Sequence, residues 1–171
     1  VQSLMPKGEL VYPLSQHIGA PASALVAKGE KVLAGQKIGE AGGFISANVI
    51  CPVSGTVQAI EPRRVASGAM VESVVVENDG AYTEAEGLGA DRDPSALTKQ
   101  EIRSIIKEAG IVGLGGAGFP THVKLTPKDD NAIEYILVNG AECEPYLTSD
   151  YRIMLEEPEK VIDGLKVILQ L

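Results

Sequence analysis

The sequence has few residues of the types that hold metal ions. It contains two cysteines, Cys51 and Cys143, and two histidines, His17 and His122, spread over 171 residues. Zinc and iron–sulfur sites use several such ligands, commonly in short motifs such as C-x-x-C. The sequence therefore predicts no metal site within this chain. Two widely separated cysteines also fit a reducing compartment better than a disulfide framework.

An excess of basic charge and a long apolar run are lacking as well. The net charge is -8, and neither half of the chain has more basic than acidic residues. This balance argues against binding to nucleic acid or to an anionic lipid surface. No apolar run approaches the roughly 18–20 residues that a membrane-spanning helix needs, and no signal peptide is recognisable. Tryptophan is absent while 44% of the residues are hydrophobic, so a folded core with little aromatic packing is expected.

Short β-strands separated by glycine turns are predicted for residues 10–78. The segments that carry the pattern are VAKGEKVLAGQKIGEA (26–41), CPVSGTVQAIEP (51–62) and MVESVVVEN (70–78). Such spacing is typical of a small β-sandwich or barrel. The pieces K-G-E-K-V-x-x-G-Q-x-I and P-V-S-G-T-V resemble the two halves of a biotinyl/lipoyl-type domain. In those carriers the modified lysine sits on the hairpin between the halves. Here that hairpin, about GGFISANVI, has no lysine, so the resemblance implies the fold without the swinging arm.

A change to helical periodicity follows a connector over residues 80–97. Thr98 and Glu101 form the pattern of a capping box, and Gly110 is a suitable helix stop. The apolar face of this helix is expected to contain Ile102, Ile105, Ile106 and Ala109. A buried strand is predicted for AIEYILVNG (132–140), and two helical pieces for residues 149–171, with Pro158 in the first turn of the second. This order predicts the start of an α/β domain. The apolar pattern continues to Leu171, so we expect that domain to be incomplete.

The glycine-rich stretch GLGGAG (113–118) fits the dinucleotide pattern G-x-G-x-x-G. A Rossmann turn requires a preceding strand and a following helix, whereas here a helix precedes and Phe119-Pro120 follows. A flexible connector is a second interpretation. A third is an anion-binding nest of backbone amides, because so many glycines cost ordering entropy unless something must approach the backbone closely. Lys124 then adds a positive charge suited to a phosphate.

A second polar stretch, NGAECEP (139–145), directly follows the predicted strand. Ligands of open α/β sheets gather at the carboxyl ends of strands, which places Asn139, Glu142 and Glu144 near a ligand. Carboxylates repel phosphate, so we expect them to face ribityl or ribose hydroxyls, a carboxamide, or a nicotinamide ring that has given up hydride. A solvated polar loop is the alternative interpretation.

Together, GLGGAGFPTHVKL and VNGAECEPYLTSDYR resemble the flavin-binding subunit of respiratory complex I, in which a G-R-G-G-A-G-F-P loop and an N-A-D-E-x-E-P segment hold FMN and admit NADH. The whole chain more closely resembles the RnfC family, a component of the Rnf electron transport complex, including PLSQHIGAPA and GFISANVICPVSGTVQAIEP. One component of the Na⁺-translocating quinone reductase shares the general plan with a weaker match at the glycine loop. A cobalamin reductase family shares both flavin segments, but there we expect the flavin domain to precede the barrel.

The resemblance implies an FMN site and assigns residues to it. Those expected near FMN are Gly113, Gly115, Gly116, Gly118, Lys124, Asn139 and Glu142. Phe119 and Glu144 are expected to lie toward the nicotinamide. No catalytic residue and no metal ligand is assigned within this chain. Two positions depart from the pattern of complex I, because Leu114 replaces an arginine and Ala141 replaces an aspartate. Both departures remove polar contacts to the flavin site.

The resemblance also implies a mixed α and β architecture and a function. Residues 1–90 are expected to form an unmodified barrel-sandwich hybrid with its connector, and residues 91–171 the first, truncated part of an α/β domain that binds FMN and NADH. The implied parent protein is a peripheral subunit on the cytoplasmic side of the membrane. It takes hydride from NADH onto FMN, passes electrons to 4Fe–4S clusters ligated further downstream, and couples NADH and ferredoxin to ion movement. The fragment itself is expected to be inactive and to hold neither clusters nor stoichiometric FMN. The alternative is a non-catalytic docking module of a membrane electron-transfer complex.

Overall fold

The computed structural model describes residues 2–171. Seven strands come first: β1 (Glu9–Pro13), β2 (Ser23–Ala24), β3 (Lys31–Val32), β4 (Lys37–Glu40), β5 (Val49–Ile50), β6 (Gly55–Arg64) and β7 (Met70–Asn78). Four α-helices follow: α1 (Lys99–Glu108), α2 (Thr121–Lys124), α3 (Ser149–Glu156) and α4 (Pro158–Ile168). Single 3₁₀ turns lie at Pro94–Ala96 and Asp130–Ala132. No helix among residues 2–171 combines the length and apolar character needed to cross a bilayer.

The strands form two antiparallel sheets around one aliphatic core. The larger sheet has the order β1-β7-β6-β3 and the smaller has the order β2-β4-β5. β6 and β7 pair over their whole length, from Gly55 opposite Asn78 to Arg64 opposite Met70, with a bulge after Val57. Side chains buried between the sheets include Leu14, Val26, Val32, Ile38, Val49, Val53, Val57, Val74 and Val76. The mixed α and β fold, with a barrel-sandwich first, confirms the sequence prediction.

The connection between β4 and β5, here called the hairpin loop (residues 41–48), occupies the position where carrier domains hold their lysine. It is fixed by its own side chains. The Ser46 hydroxyl accepts from the Gly42 amide at 2.9 Å and donates to the Ala20 carbonyl at 2.8 Å. The Asn48 side-chain oxygen accepts from the Ala41 amide at 2.9 Å. Ser46, Ala47 and Asn48 are all buried, so this loop is part of the packed structure.

Helix α1 begins and ends where the sequence predicts. The Glu101 carboxylate accepts from the Thr98 amide at 2.8 Å, and the Thr98 hydroxyl accepts from the Glu101 amide at 3.3 Å. These reciprocal bonds satisfy two amide donors that a helix start otherwise leaves free. Gly110 follows the helix with φ of +66°. On the predicted apolar face, Ile102 and Ile106 are buried, Ile105 is half-buried and Ala109 is exposed.

The predicted strand over residues 132–140 is wrong. Asp130–Ala132 forms a 3₁₀ turn, and residues 133–140 have no regular structure and are exposed. Leu137, for example, is 92% exposed. A strand is stable only when its backbone amides and carbonyls pair with a neighbour, and no strand lies beside this segment within residues 2–171. The two helices predicted after it do form, with Pro158 in the first turn of α4.

Substituting Thr98 tests the capping box. Thr98→Ala is expected to lower the free energy of unfolding by about 1 kcal/mol, because it removes the hydroxyl that accepts from the first turn of α1. Thr83→Ala, which removes an exposed hydroxyl outside the helices, is the matched control and should change stability by less than about 0.5 kcal/mol. Urea denaturation measures both. Equal stabilities of the two variants would show that the cap contributes nothing.

The hairpin loop is expected to carry no biotin or lipoate. Residues 41–48 contain no lysine, and the nearest one, Lys37, lies at the start of β4 with its ammonium 2.9 Å from the Glu108 carboxylate. Intact-mass measurement with peptide mapping checks this expectation. A cofactor mass located within residues 40–50 would refute it.

Candidate functional site

The glycine loop, residues 113–118, is closed at its base by backbone pairing. Val112 and Pro120 form an antiparallel bridge, and the Gly113 amide donates to the Phe119 carbonyl at 2.8 Å. A turn at the tip is closed by the Gly118 amide, which donates to the Gly115 carbonyl at 3.0 Å. The hydrogen bonds that close the base and the tip of the loop disagree with the interpretation as a flexible connector. The structure also confirms that a helix, not a strand, precedes the loop, so the turn is not of the Rossmann type.

Only one of the four glycines is required by the packing of the chain itself. Gly118 has φ of +54°, and a Cβ there would lie 2.6 Å from the Gln16 carbonyl oxygen. At Gly115 and Gly116 a Cβ would meet nothing within 4 Å, and at Gly113 its nearest neighbour would be 3.7 Å away. The missing side chains at Gly115 and Gly116 therefore leave open space beside the backbone, and a side chain at Gly113 would make only an ordinary contact with Phe119. Such space is what a ligand approaching the backbone needs.

The amides at the tip of the loop are available to a ligand. Within residues 2–171, no backbone or side-chain hydrogen bond uses the amides of Leu114, Gly115 or Gly116, and all three residues are exposed. The Leu114 side chain is 99% exposed and so does not pack over them. Successive free amides on a tight loop are the donors that an anion-binding nest presents.

Lys124 lies elsewhere, at the end of α2. Its side chain lines a cleft of about 500 Å³ together with Lys99, Arg103 and Asp130. The Arg103 guanidinium donates to the Leu125 carbonyl at 2.7 Å and to the Asp130 carboxylate at 2.5 Å. This hydrogen bond holds the pKa of Asp130 below its usual value. The glycine loop does not line this cleft, so the structure does not bring Lys124 and the glycines into one cavity.

The acidic segment, residues 139–145, is organised by contacts with its own neighbourhood. The Asn139 side-chain oxygen accepts from the Ala141 amide at 3.0 Å. The Glu142 carboxylate accepts from the Tyr151 amide, in the first turn of α3, at 3.0 Å. Glu144 and Cys143 are exposed. In the part of the chain from residue 2 onward, no hydrogen bond joins this segment to the glycine loop.

The sequence pattern did not reveal the capping role of Glu142. Residue 142 precedes α3 by several positions, so its carboxylate reaches the helix through a folded loop rather than through the adjacent N-cap position. Anionic groups are favourable at a helix start, where free amides carry partial positive charge. No local signal could have found it, because Thr148 is a residue type that usually caps a helix itself, and only the structure shows that its side chain does not.

His122 is the second residue whose role the sequence pattern did not reveal. It lies in α2, is 5% exposed, and its Nε2 donates to the Phe44 carbonyl of the hairpin loop at 3.1 Å. The two rings meet edge to face with centroids 6.0 Å apart. Burial lowers the pKa of His122, so the ring is neutral at pH 7. Its partner is 78 residues away in sequence, which no local pattern could reveal.

The glycine loop also contacts the barrel directly. The Ile18 amide, in the segment between β1 and β2, donates to the Ala117 carbonyl at 3.0 Å. His17, next to it, accepts from the Ala47 amide of the hairpin loop through Nε2 at 3.2 Å. The barrel therefore contacts the glycine loop through residues 16–18 and α2 through the hairpin loop.

The two cysteines lie in different environments. Cys51 is buried in the barrel core, where burial raises the pKa of its thiol. Cys143 is exposed in the acidic segment. Over residues 2–171, no group of three or more His, Cys, Asp and Glu side chains has the arrangement needed for a metal ion.

Two known families match successive parts of the chain. Residues 1–81 match the RnfC barrel sandwich hybrid domain, and residues 106–171 match the Nuo51 FMN-binding domain. All nine residues assigned to the cofactor by resemblance lie within the second match.

Curated relatives are similar over almost the whole chain. The C component of the proton-translocating ferredoxin:NAD(+) oxidoreductase complex of Clostridium ljungdahlii is 45% identical over 93% of this chain and 35% of that protein. The C component of the Na(+)-translocating ferredoxin:NAD(+) oxidoreductase complex of Acetobacterium woodii is 45% identical over 94% of this chain and 36% of its own length. The corresponding component of an ion-translocating oxidoreductase complex of Pseudomonas aeruginosa is 42% identical over 94% of this chain and 21% of that protein. The chain spans about a third or less of the length of these relatives, and with both domains in this order it belongs to the RnfC family.

Proposed function

We propose that this chain contributes the glycine-loop part of an FMN site in a protein that oxidises NADH and passes the electrons to iron–sulfur clusters. The observation that carries the proposal is the match of residues 106–171 to an FMN-binding domain, at the place where three loop glycines have no role in the packing of the chain. In this proposal residues 1–90 are the unmodified barrel and residues 91–171 the first part of the flavin domain.

The residues present fit the phosphate end of FMN. The free amides of Leu114, Gly115 and Gly116 supply several N–H donors to one anion, and the absence of Cβ atoms at Gly113, Gly115 and Gly116 lets its oxygens approach the backbone. Gly118 has a positive φ and lies so close to Gln16 of the barrel that a Cβ would clash. Lys124 lines the separate cleft beside Arg103 in this structure, and its charge-assisted contact with the phosphate is the part of the proposal that rests on the family resemblance alone.

The acidic segment serves the other end of the cofactor in this proposal. Asn139 and Glu142 face the ribityl and ring portion, and Phe119 and Glu144 lie toward the nicotinamide. Carboxylates suit that place because they accept from hydroxyls and stabilise a ring that becomes cationic when it gives up hydride. Glu142 would keep one carboxylate oxygen on the α3 amide and offer the other. Bound FMN supplies the chemistry that accepts two electrons and releases them singly.

The names of the relatives support the wider proposal for the whole protein. They are subunits of ferredoxin:NAD(+) oxidoreductase complexes that translocate protons or sodium ions. We infer that the partners are the other subunits of such a complex, NADH and ferredoxin or a similar carrier. The 4Fe–4S clusters would be ligated outside this chain. The proposed location is peripheral, at the cytoplasmic face of the membrane.

The visible spectrum of the purified full-length protein tests the proposal. We expect flavin absorbance that bleaches on addition of NADH and an extracted cofactor identified as FMN. Reconstitution of apoprotein with FMN should restore the spectrum at a stoichiometry of one. A full-length protein that takes up no flavin under these conditions would instead support the non-catalytic docking module.

Substitutions in the full-length protein separate the nest from a plain connector. Gly116→Val is expected to abolish FMN binding, because its side chain would occupy the space needed by the phosphate. A Cβ at this position would meet no atom of the chain within 4 Å, so we expect folding and circular dichroism to be unchanged.

Lys124 is tested by two substitutions in the same protein. Lys124→Ala is expected to weaken FMN binding by about ten- to a hundredfold, the effect of losing a charge-assisted contact. Lys124→Arg keeps the charge and should show an intermediate loss. Lys128→Ala, which removes another exposed lysine nearby in sequence, is the matched control and should bind FMN normally. Unchanged dissociation constants for both Lys124 variants would remove this residue from the site.

A further inference from the structure

The barrel contacts three consecutive elements in the flavin part of the chain, namely the end of α1, the glycine loop and α2. Before the glycine loop, the Asn48 side-chain amide lies 3.4 and 3.3 Å from the carbonyls of Lys107 and Glu108, at the end of α1. Lys37 adds an ion pair to Glu108 at 2.9 Å. The last carbonyls of a helix lack partners within it. That of Lys107 also accepts from the Gly110 amide at 3.0 Å, so the barrel adds a second donor at this end of α1.

The second contact is with the loop itself. The Ile18 amide donates to the Ala117 carbonyl at 3.0 Å, one residue before Gly118. At Gly118 the backbones are so close that a Cβ would lie 2.6 Å from the Gln16 carbonyl and 3.1 Å from the His17 Cα. The C-terminal end of the glycine loop is therefore in direct contact with residues 16–18 of the barrel.

The third contact fixes the helix after the loop. His122 is buried and reaches the hairpin loop through its Nε2–H, which donates to the Phe44 carbonyl, and through the edge-to-face contact of the two rings. Desolvation and the nearby Lys107 both disfavour a charged ring, so a neutral donor suits this position. Since α2 contains only Thr121–Lys124, fixing His122 also fixes the backbone from which Lys124 extends.

We propose that the barrel is the positioning element of the flavin site: residues 16–18 hold the glycine loop, and His122 is the positioning residue through which the hairpin loop holds α2 directly after it. This proposal rests on the proposed function for the flavin itself. The hairpin position that carries a mobile cofactor in biotinyl and lipoyl carriers serves here as a fixed support. The physical gain is preorganisation, because a loop held in its bound conformation loses less entropy when the ligand binds.

Four variants of the full-length protein test the proposal. His122→Leu removes the donor but keeps an apolar side chain, whereas His122→Gln places an amide N–H where it can still reach the Phe44 carbonyl. Phe44→Ala removes the ring contact from the barrel side. Val57→Ala makes a cavity in the barrel core, in which Val57 is 1% exposed, and serves as the control for loss of stability alone.

The first measurement is the FMN dissociation constant, well below the melting temperature of every variant. We expect His122→Leu to weaken binding about tenfold, His122→Gln to recover most of that loss, and Phe44→Ala to weaken binding about threefold. Val57→Ala should lower the melting temperature and leave the dissociation constant unchanged. Equal dissociation constants for wild type and His122→Leu overturn the proposal. So does an equal loss in Val57→Ala.

The second measurement does not need the flavin. Hydrogen exchange of the amides in residues 113–125 of the apoprotein should be faster in His122→Leu than in wild type, and unchanged in Val57→Ala. If wild-type protein takes up no FMN, the proposed function fails, and this exchange pattern alone decides whether the barrel positions the loop. Equal exchange in wild type and His122→Leu overturns the positioning role whatever the flavin result.

Discussion

The close approach of the glycine loop to the barrel at Gly118 is the constraint on which the arrangement of the candidate site depends. A side chain at this position would overlap the Gln16 carbonyl, and the backbone has a left-handed φ of +54°. Only glycine satisfies both conditions without strain. With this end of the loop held on residues 16–18 and the base closed by pairing of Val112 with Pro120, the free amides at Leu114, Gly115 and Gly116 are presented on a loop of defined shape.

The hairpin loop of the barrel is also packed, through a separate contact with the helix that follows the glycine loop. In a carrier domain the hairpin must expose its lysine and move with it. In this chain the hairpin loop has no lysine, three of its residues are buried, and its Phe44 carbonyl accepts from His122. In carrier domains this fold transports a cofactor, whereas here its hairpin loop forms hydrogen bonds with α1 and α2. Fixed geometry is what close approach to a flavin phosphate requires.

The acidic segment and residues 133–138 before it differ from the glycine loop in exposure and in hydrogen bonding. Residues 133–138 place apolar side chains in solvent, and Glu142 and Asn139 bond to backbone amides nearby. An exposed run of this composition costs hydration free energy unless it is covered. The FMN-binding domain match reaches Leu171, while the chain spans only 35% of the Clostridium relative. Within residues 2–171, a hydrogen bond joins the glycine loop to the barrel, whereas none joins the acidic segment to the glycine loop.

The sequence alone determined the features that depend on neighbouring residues. The capping box of Thr98 and Glu101, the stop at Gly110, the aliphatic strands β6 and β7 and the missing hairpin lysine were all predicted correctly, because hydrogen bonds within one turn and alternating burial act over a few residues. The motifs also identified the family, because the glycine loop, the acidic segment and the two barrel halves have distinctive sequences that can be recognised without a structure.

Tertiary structure decided what depends on residues far apart in sequence. The bond between His122 and Phe44, the contact of Gly118 with Gln16 and the position of Lys124 in a separate cleft follow from how the barrel and the helices pack. The predicted strand at residues 132–140 failed for the same physical reason. Its apolar composition favours a strand, but a strand exists only when another backbone lies beside it to accept and donate its hydrogen bonds, and composition cannot supply that neighbour.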